Sequence, residues 1–105
     1  MIEPPIQHIT QKIVEAFHPR RIVMFGSRAR GQARPDSDLD LMIEMESDLP
    51  PEERFLAVFR LFALRRWALD VIVMTPEEVR DQRRYRNSVL RAIEAEGKVL
   101  YVQPG

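Results

Sequence analysis

The sequence predicts an α/β domain, in which a sheet is covered by helices. Apolar runs at residues 21–26, 38–46 and 69–75 have the length of strands. Segments with helical spacing or helix-start residues lie between and around these runs, and this alternation is typical of an α/β sandwich. A chain of 105 residues can bury one core, so we expect a single domain over residues 1–105.

The composition limits the classes of function. The 16 basic and 16 acidic residues balance, so bulk charge does not indicate a protein that binds polyanions, and any nucleotide contact must be local. The chain has no cysteine, which excludes disulfides and thiolate metal sites. The first ten residues lack the order of a signal peptide, and no apolar run approaches the ~18 residues of a membrane span, so we expect a cytoplasmic protein.

The first third of the chain predicts a helix, a strand and a turn. Residues 4–17 carry isoleucines and a phenylalanine at helical spacing, with prolines in the opening turn, and His18 and Pro19 end the helix. Residues 21–26 hold four consecutive apolar side chains, which indicates a strand covered on both faces. We expect a short helical turn from Ser27 to Gly31, followed by a polar loop through Pro35.

The middle of the chain predicts a second strand and a long helix. Residues 38–46 alternate, so that alternate side chains should share a face of the sheet. One face then holds Leu39, Leu41, Ile43 and Met45, and the other holds Asp38, Asp40, Met42 and Glu44. Residues 48–53 have the prolines and acids of a helix start, and we expect this helix to continue through Trp67 and cover the sheet.

The last third predicts a strand, two helix signals and an edge strand. Residues 69–75 form the third strand, and Thr75 with Glu78 forms a capping box with Pro76 at the first helical position. A final helix spans residues 87–96 and ends at Gly97. Residues 98–102 predict a short edge strand.

Three aspartates are the candidate metal ligands. Asp38 and Asp40 are separated by one residue in a strand, so their side chains point to the same side while their backbones lie ~6.5–7 Å apart. Mg²⁺ prefers such oxygen ligands, and two ions ~3.5–4 Å apart can stabilise the attacking and leaving oxygens of a phosphoryl transfer. Asp70 interrupts the next strand, where aspartate is disfavoured. The alternative is that Asp38 ends a loop and Asp40 faces solvent on an edge strand. We expect Glu44 to lie in the outer shell of the metal site or to be solvated.

The turn at Gly26 and Ser27 is the candidate phosphate site. Glycine allows close approach of the backbone, and amides at the start of a helical turn can donate to a phosphate oxygen, as can the Ser27 hydroxyl. Arg28 or Arg30 can add positive charge, or either can be a solvated surface arginine.

These residues together resemble the signature of a known family. Gly26 and Ser27, a ten-residue spacer, Asp38 and Asp40, and then Asp70 look like the nucleotidyltransferase motif of the DNA polymerase β superfamily, and most of all its minimal nucleotidyltransferase branch. The resemblance covers nearly the whole chain, including a similar C-terminal segment at residues 87–101. It implies a mixed sheet flanked by helices, two Mg²⁺ ions and a nucleoside triphosphate donor.

The resemblance also assigns roles to the residues. It implies that Asp38 and Asp40 ligate the ions, and that Asp70 ligates the ion that activates the acceptor hydroxyl. Gly26 and Ser27 would hold the triphosphate, and we assign Arg28 to the nucleotide beside them.

Minimal members of this family are commonly encoded beside a HEPN-domain protein, a helical ribonuclease toxin. The resemblance therefore implies an antitoxin that transfers AMP from ATP to a tyrosine of that toxin, in a hetero-oligomer. Two alternatives stay open, namely an antitoxin that neutralises its partner by occlusion, and a small-molecule nucleotidyltransferase working as a homodimer. We expect this protein, unlike larger relatives of the family, to have no further domain that covers a base or a small acceptor, so we do not expect antibiotic, tRNA or other nucleic-acid substrates.

An arginine-rich tract surrounds Tyr85 near the end of the chain. It consists of Arg80, Arg83, Arg84, Arg86 and Arg91. It is either a solvated face or a local patch that meets an acidic toxin surface or RNA.

Overall fold

The computed structural model describes residues 3–105, which form four helices and four strands. In chain order these are α1 (Ile6–Phe17), β1 (Arg21–Phe25), β2 (Leu39–Glu44), α2 (Pro51–Leu61), β3 (Leu69–Met74), α3 (Pro76–Gln82), α4 (Val89–Glu96) and β4 (Lys98–Val102). Within this range every helix is too short or too polar to traverse a lipid bilayer.

The four strands form one mixed sheet in the order β3-β2-β1-β4. Strand β1 is antiparallel to both β2 and β4, whereas β2 and β3 are parallel and joined through α2. A parallel pair needs a crossover of this kind, because the chain must return to the end of the sheet where β2 began. The expected α/β fold with a mixed sheet is confirmed, as is the short edge strand β4.

Helices cover both faces of the sheet. The larger core contains Ile9 and Ile13 of α1 and Val58 of α2, while the smaller core contains Val79 of α3 and Leu90 of α4. The alternation of β2 is confirmed. Its side chains in the larger core are Leu39, Leu41 and Ile43, joined by Met45 just beyond the strand, and Met42 points into the smaller core.

The expected end of the second helix was wrong. Helix α2 stops at Leu61, not Trp67, and the N–H of Phe62 donates to the Phe59 carbonyl only three residues back. The chain must leave the helix here because the carbonyl of Ala68 already accepts a hydrogen bond from β2 at 2.9 Å. Trp67 packs instead against Phe62, with ring centroids 5.6 Å apart. Strand pairing therefore ends the helix before its apolar pattern does.

The C-terminal helices begin as the capping residues indicate. The Thr75 hydroxyl accepts from the Glu78 N–H at 3.2 Å, and the Glu78 carboxylate accepts from the Thr75 N–H at 2.9 Å. Ser88 caps α4, which starts two residues later than expected and ends before Gly97.

The backbone of Gly97 is extended and not left-handed, so its conformation does not require glycine. Close packing does. A Cβ there would lie 2.5 Å from a Val23 methyl carbon and 2.6 Å from the Ile93 carbonyl oxygen. The end of α4 therefore sits directly against β1.

Candidate active site

The three candidate aspartates lie at one edge of the sheet, where β1 ends and β2 and β3 begin. Asp38 immediately precedes β2 and is exposed, Asp40 is half-buried within β2, and Asp70 is exposed within β3. Asp40 and Asp70 are direct partners in the parallel ladder. Paired residues of neighbouring strands point to the same face and lie about 4.8 Å apart. The structure therefore brings the acidic residues together on the face that carries α3 and α4.

The electrostatics of Asp40 reflect this crowding of like charges. Burial and the carboxylates of Asp70 and Asp38 raise its pKa to about 6, and the Arg30 guanidinium opposes the shift. In residues 3–105, no lysine or arginine forms an ion pair with any of the three aspartates. The edge thus carries an excess of negative charge that a bound cation would relieve.

The donor set fits a divalent cation shared with a phosphate. Throughout the described range, no three acidic or histidine side chains are gathered closely enough to hold an ion by themselves. Mg²⁺ does not require such a cage, because it keeps several waters and is usually bound through one or two carboxylates plus substrate phosphates. Two rigid strands that present carboxylates at an open edge meet that requirement.

Gly26 brings the turn after β1 against Asp40. Its φ is +76°, and a Cβ at this position would lie 2.1 Å from an Asp40 carboxylate oxygen. Glycine is needed here for both reasons, since other residues rarely adopt this φ and any side chain would strike the carboxylate. The Gly-Ser turn and Asp40 are therefore neighbours, as the sequence indicated, although their roles stay predictions.

The segment after Gly26 forms a single helical turn. The Arg30 N–H donates to the Gly26 carbonyl at 3.2 Å, and the Gln32 N–H donates to the Ser27 carbonyl at 2.9 Å. The turn ends at Gly31, which again has a positive φ of +74°. The expected short helical turn is confirmed. Ser27 is half-buried in it and follows Gly26, the residue that packs against Asp40.

Arg28 shapes the loop that leads to Asp38. Its Nη2 donates to the backbone carbonyls of Arg34, Pro35 and Ser37 at 3.3, 3.2 and 2.8 Å. The guanidinium thereby ties the helical turn to the residue just before the aspartate. A contact between Arg28 and a nucleotide stays a prediction; in this arrangement the side chain holds the loop.

Glu96 is a site residue that sequence reasoning missed. One carboxylate oxygen accepts from the Gly26 N–H at 3.1 Å, and the other pairs with Arg30 Nη1 at 3.1 Å. These two hydrogen bonds, that to Arg30 first, hold the pKa of Glu96 below its usual value. Glu96 lies 70 residues after Gly26 in the sequence, so no local sequence pattern could predict their contact.

The opposite end of the same face is different. Glu44 pairs with Arg21 at 2.8 Å, Arg21 reaches Glu94 at 2.7 Å, and Glu94 pairs with Arg83 at 2.6 Å. The expectation that Glu44 is an outer-shell or solvated residue was wrong, because its side chain is only 12% exposed and pairs with Arg21 at the end of β2 away from the aspartates. Arg83, one member of the arginine-rich tract, belongs to this network and is not a free surface charge.

A depression of about 610 Å³ also lies away from the aspartates. Its lining includes Arg54, Thr75 and Arg84, at the end of β3 opposite Asp70. Hydrogen bonds within the fold already engage Arg54 and Thr75, through Glu78. The depression is therefore framed by structural contacts and is separate from the acidic edge.

The comparisons with known proteins agree with this geometry. A family model of the nucleotidyltransferase domain matches residues 6–100. No curated protein sequence matches the chain.

Two solved structures share the fold. One is a protein from Sulfolobus solfataricus, provisionally assigned as a nucleotidyltransferase, with a TM-score of 0.65 and 21% identity over 93% of this chain and 78% of that one. The other is a toxin-antitoxin structure with AMP-PNP, with a TM-score of 0.62 and 19% identity over 91% of this chain and 73% of that one. Because the family model covers most of its length, the chain belongs to the nucleotidyltransferase domain family.

Proposed function

We propose that this protein is a magnesium-dependent adenylyltransferase that transfers AMP from ATP to a tyrosine of a HEPN-domain toxin and so acts as its antitoxin. The observation that carries the proposal is the packing of Asp40 directly against Gly26. Asp40 of the acidic edge and Gly26 of the turn are therefore adjacent. A triphosphate bound at the turn would lie beside the carboxylates.

Each part of the site has a role in this reaction. The turn at Gly26 and Ser27 offers an amide and a hydroxyl to phosphate oxygens. Asp38 and Asp40 would hold the divalent ions, and Asp70 would hold the ion beside the acceptor hydroxyl. Such ions, when bound, neutralise phosphate charge and lower the pKa of the acceptor hydroxyl.

The transfer itself is an in-line displacement at the α-phosphorus. The acceptor hydroxyl loses its proton, and its oxygen forms a bond to the α-phosphorus of ATP. The bond between the α-phosphorus and the bridging oxygen breaks, and pyrophosphate leaves with the electron pair. The contribution of this chain is to position the two oxygens and to hold the charges that the transition state requires.

An open acidic edge favours a macromolecular acceptor. Asp38 and Asp70 are exposed at the surface of the molecule. The toxin-antitoxin structure with AMP-PNP that shares this fold supports both a nucleotide and a protein partner. We therefore propose a hetero-oligomer in which the toxin completes the site; the cytoplasmic location stays a prediction.

A transfer assay with the neighbour-encoded protein tests the proposal. Labelled ATP, Mg²⁺, this protein and its partner are mixed, and we expect label on the partner that disappears with Asp38→Ala plus Asp40→Ala. The matched control is Asp36→Asn, which removes an exposed carboxylate from the same loop. An unlabelled partner, or label that persists in the double variant, contradicts the proposal.

The same variants decide between transfer and occlusion. A double variant that still neutralises the toxin at equal expression would show that binding alone suffices. A small-molecule acceptor is tested by mass spectrometry after incubation of the protein with candidate acceptors, and a modified small molecule with an unmodified partner would favour that alternative.

A further inference from the structure

The Gly-Ser turn already holds an anion, and that anion belongs to the protein. The Glu96 carboxylate lies between the Gly26 N–H and the Arg30 guanidinium, with both contacts at 3.1 Å. A main-chain amide beside an arginine is the kind of donor pair that recognises a phosphate oxygen. The donors are therefore arranged for an anion before any nucleotide arrives.

The placement of Glu96 is not explained by its own helix. It is the last residue of α4, where the helix dipole disfavours a negative charge. The close packing of Gly97 against Val23 fixes this end of α4 beside β1. The fold thus places the Glu96 carboxylate at the turn although its interaction with the helix dipole is unfavourable. Its contacts with Gly26 and Arg30 offset this unfavourable interaction.

Glu96 also lies within range of the acidic edge. Burial, Asp70 and Asp38 raise the pKa of Asp40, and the Glu96 carboxylate acts in the same direction. A triphosphate placed between the turn and the aspartates would therefore meet this carboxylate as a like charge. Glu96 and a phosphate group cannot occupy the same donors together.

We infer that Glu96 occupies the position of a nucleotide phosphate and is displaced when the nucleotide binds. This inference rests on the proposed function and identifies a residue that sets nucleotide affinity. The Arg30–Glu96 pair is partly exposed, at 44% and 35% for the two side chains, so it is weak and readily exchanged. A triphosphate carries more charge than one carboxylate and competes effectively for the same donors.

The substitution Glu96→Gln separates competition from positioning. The amide oxygen can still accept from the Gly26 N–H and preserve the turn, but the competing charge is gone. We expect Mg²⁺-ATP to bind about two- to fivefold more tightly, which matches the strength of an exposed ion pair. The control Glu94→Gln removes the same charge from the same helix, where it contacts Arg21 and Arg83 and not the turn.

Isothermal titration with Mg²⁺-ATP, and separately with inorganic tripolyphosphate, measures the effect. Tighter binding of both probes by Glu96→Gln alone supports displacement. An unchanged or weaker affinity, or an equal gain in Glu94→Gln, overturns it, because Glu96 would then position the turn or act only through bulk charge. Circular dichroism confirms that the variants are folded.

The two probes keep this inference distinct from the proposed function. If tripolyphosphate binds more tightly to Glu96→Gln while ATP binding gives no transfer to the partner, the inference holds and the proposed function fails. The amide signal of Gly26 in ¹⁵N NMR supplies a second readout, since tripolyphosphate should shift it in the wild type. A Gly26 signal that tripolyphosphate leaves unmoved overturns the inference directly.

Discussion

Strand β2 carries an acidic residue near each end of one face, and the two residues have different surroundings. Glu44 is almost buried and pairs with Arg21, which is linked in turn to Glu94 and Arg83. Asp40 pairs with no basic side chain in the described chain, and its burial, followed by the Asp70 carboxylate that it faces, raises its pKa to about 6. At the Glu44 end arginines of the fold neutralise the acidic side chains, whereas at the Asp40 end no basic side chain of residues 3–105 does so.

The difference shows how a strand acid can be assigned to stability or to binding. Half-buried acids are costly unless a cation accompanies them. At the Glu44 end the cation is an arginine of the same chain, so the cost is met within the fold. At the Asp40 end no basic side chain of the described chain does this, which is the physical reason for our proposal of a metal-dependent site there.

The largest expected effect comes from Asp40→Asn. Removal of the charge should lower AMP transfer by about 100-fold or more, while the free energy of unfolding stays equal or rises because like-charge repulsion is relieved. Transfer kinetics and urea unfolding of the same preparation measure both. A variant that loses stability in parallel with activity would place Asp40 with the structural acids.

Arg21→Met should have the opposite pattern. It leaves Glu44 and Glu94 without their shared guanidinium, and a broken, partly buried ion pair of this kind costs about 3 kcal/mol of unfolding free energy. ATP affinity per folded molecule should stay unchanged, because the network lies at the far end of β2. Urea unfolding and ATP titration test this, and an ATP affinity that falls while stability holds would contradict a structural role for this end of β2.

Gly26→Ala and Gly31→Ala form a matched pair. Both residues have φ near +75°, so the backbone conformation alone should make each substitution cost about 1 kcal/mol of stability. Only at Gly26 would the new Cβ strike Asp40; at Gly31 no atom lies within 4 Å. We therefore expect transfer to be lost in Gly26→Ala and kept in Gly31→Ala. Equal transfer rates in the two variants would argue that the contact with Asp40 does not matter.

The smallest expected effect is a pH dependence of opposite sign at the two ends. The pKa of Asp40 is raised from 3.8 to about 6, so the fold disfavours its ionisation, and without metal its contribution to stability falls as pH rises from 4 to 6. The pKa of Glu94 is lowered from 4.5 by Arg83 and Arg21, so its contribution is lost as pH falls through the folded-state pKa.

Urea unfolding in EDTA across this pH range separates the two acids. Between pH 6 and pH 4, the wild type should gain stability relative to Asp40→Asn. Below pH 4.5, the wild type should lose stability relative to Glu94→Gln. Parallel curves for wild type and Asp40→Asn would show that Asp40 is not electrostatically strained.

The parts of the fold that local pattern decides could be predicted from the sequence. The alternation in β2 indicated which side chains face each core, and Thr75 with Glu78 indicated the start of α3. The end of α2 could not be predicted, because its apolar spacing continues to Trp67 while strand pairing at Ala68 requires extended backbone.

The site could be predicted only in part. Asp40 and Asp70 were expected to lie close together. Each interrupts an apolar strand, and two such strands can lie side by side in one sheet. Glu44 was misjudged, since its partner Arg21 is on another strand. Glu96 gave one weak signal, an acid at the last turn of a helix, and its contact with Gly26 depends on how α4 packs against β1.

Carboxyl ¹³C NMR during a Mg²⁺ titration with ATP present distinguishes the two ends of β2. If the unpaired end of β2 is the metal site and the paired end is structural, the signals of Asp38, Asp40 and Asp70 should shift with saturation while that of Glu44 stays fixed. Carboxyl signals that do not respond, or that respond equally at Asp40 and Glu44, would contradict this assignment of the two ends.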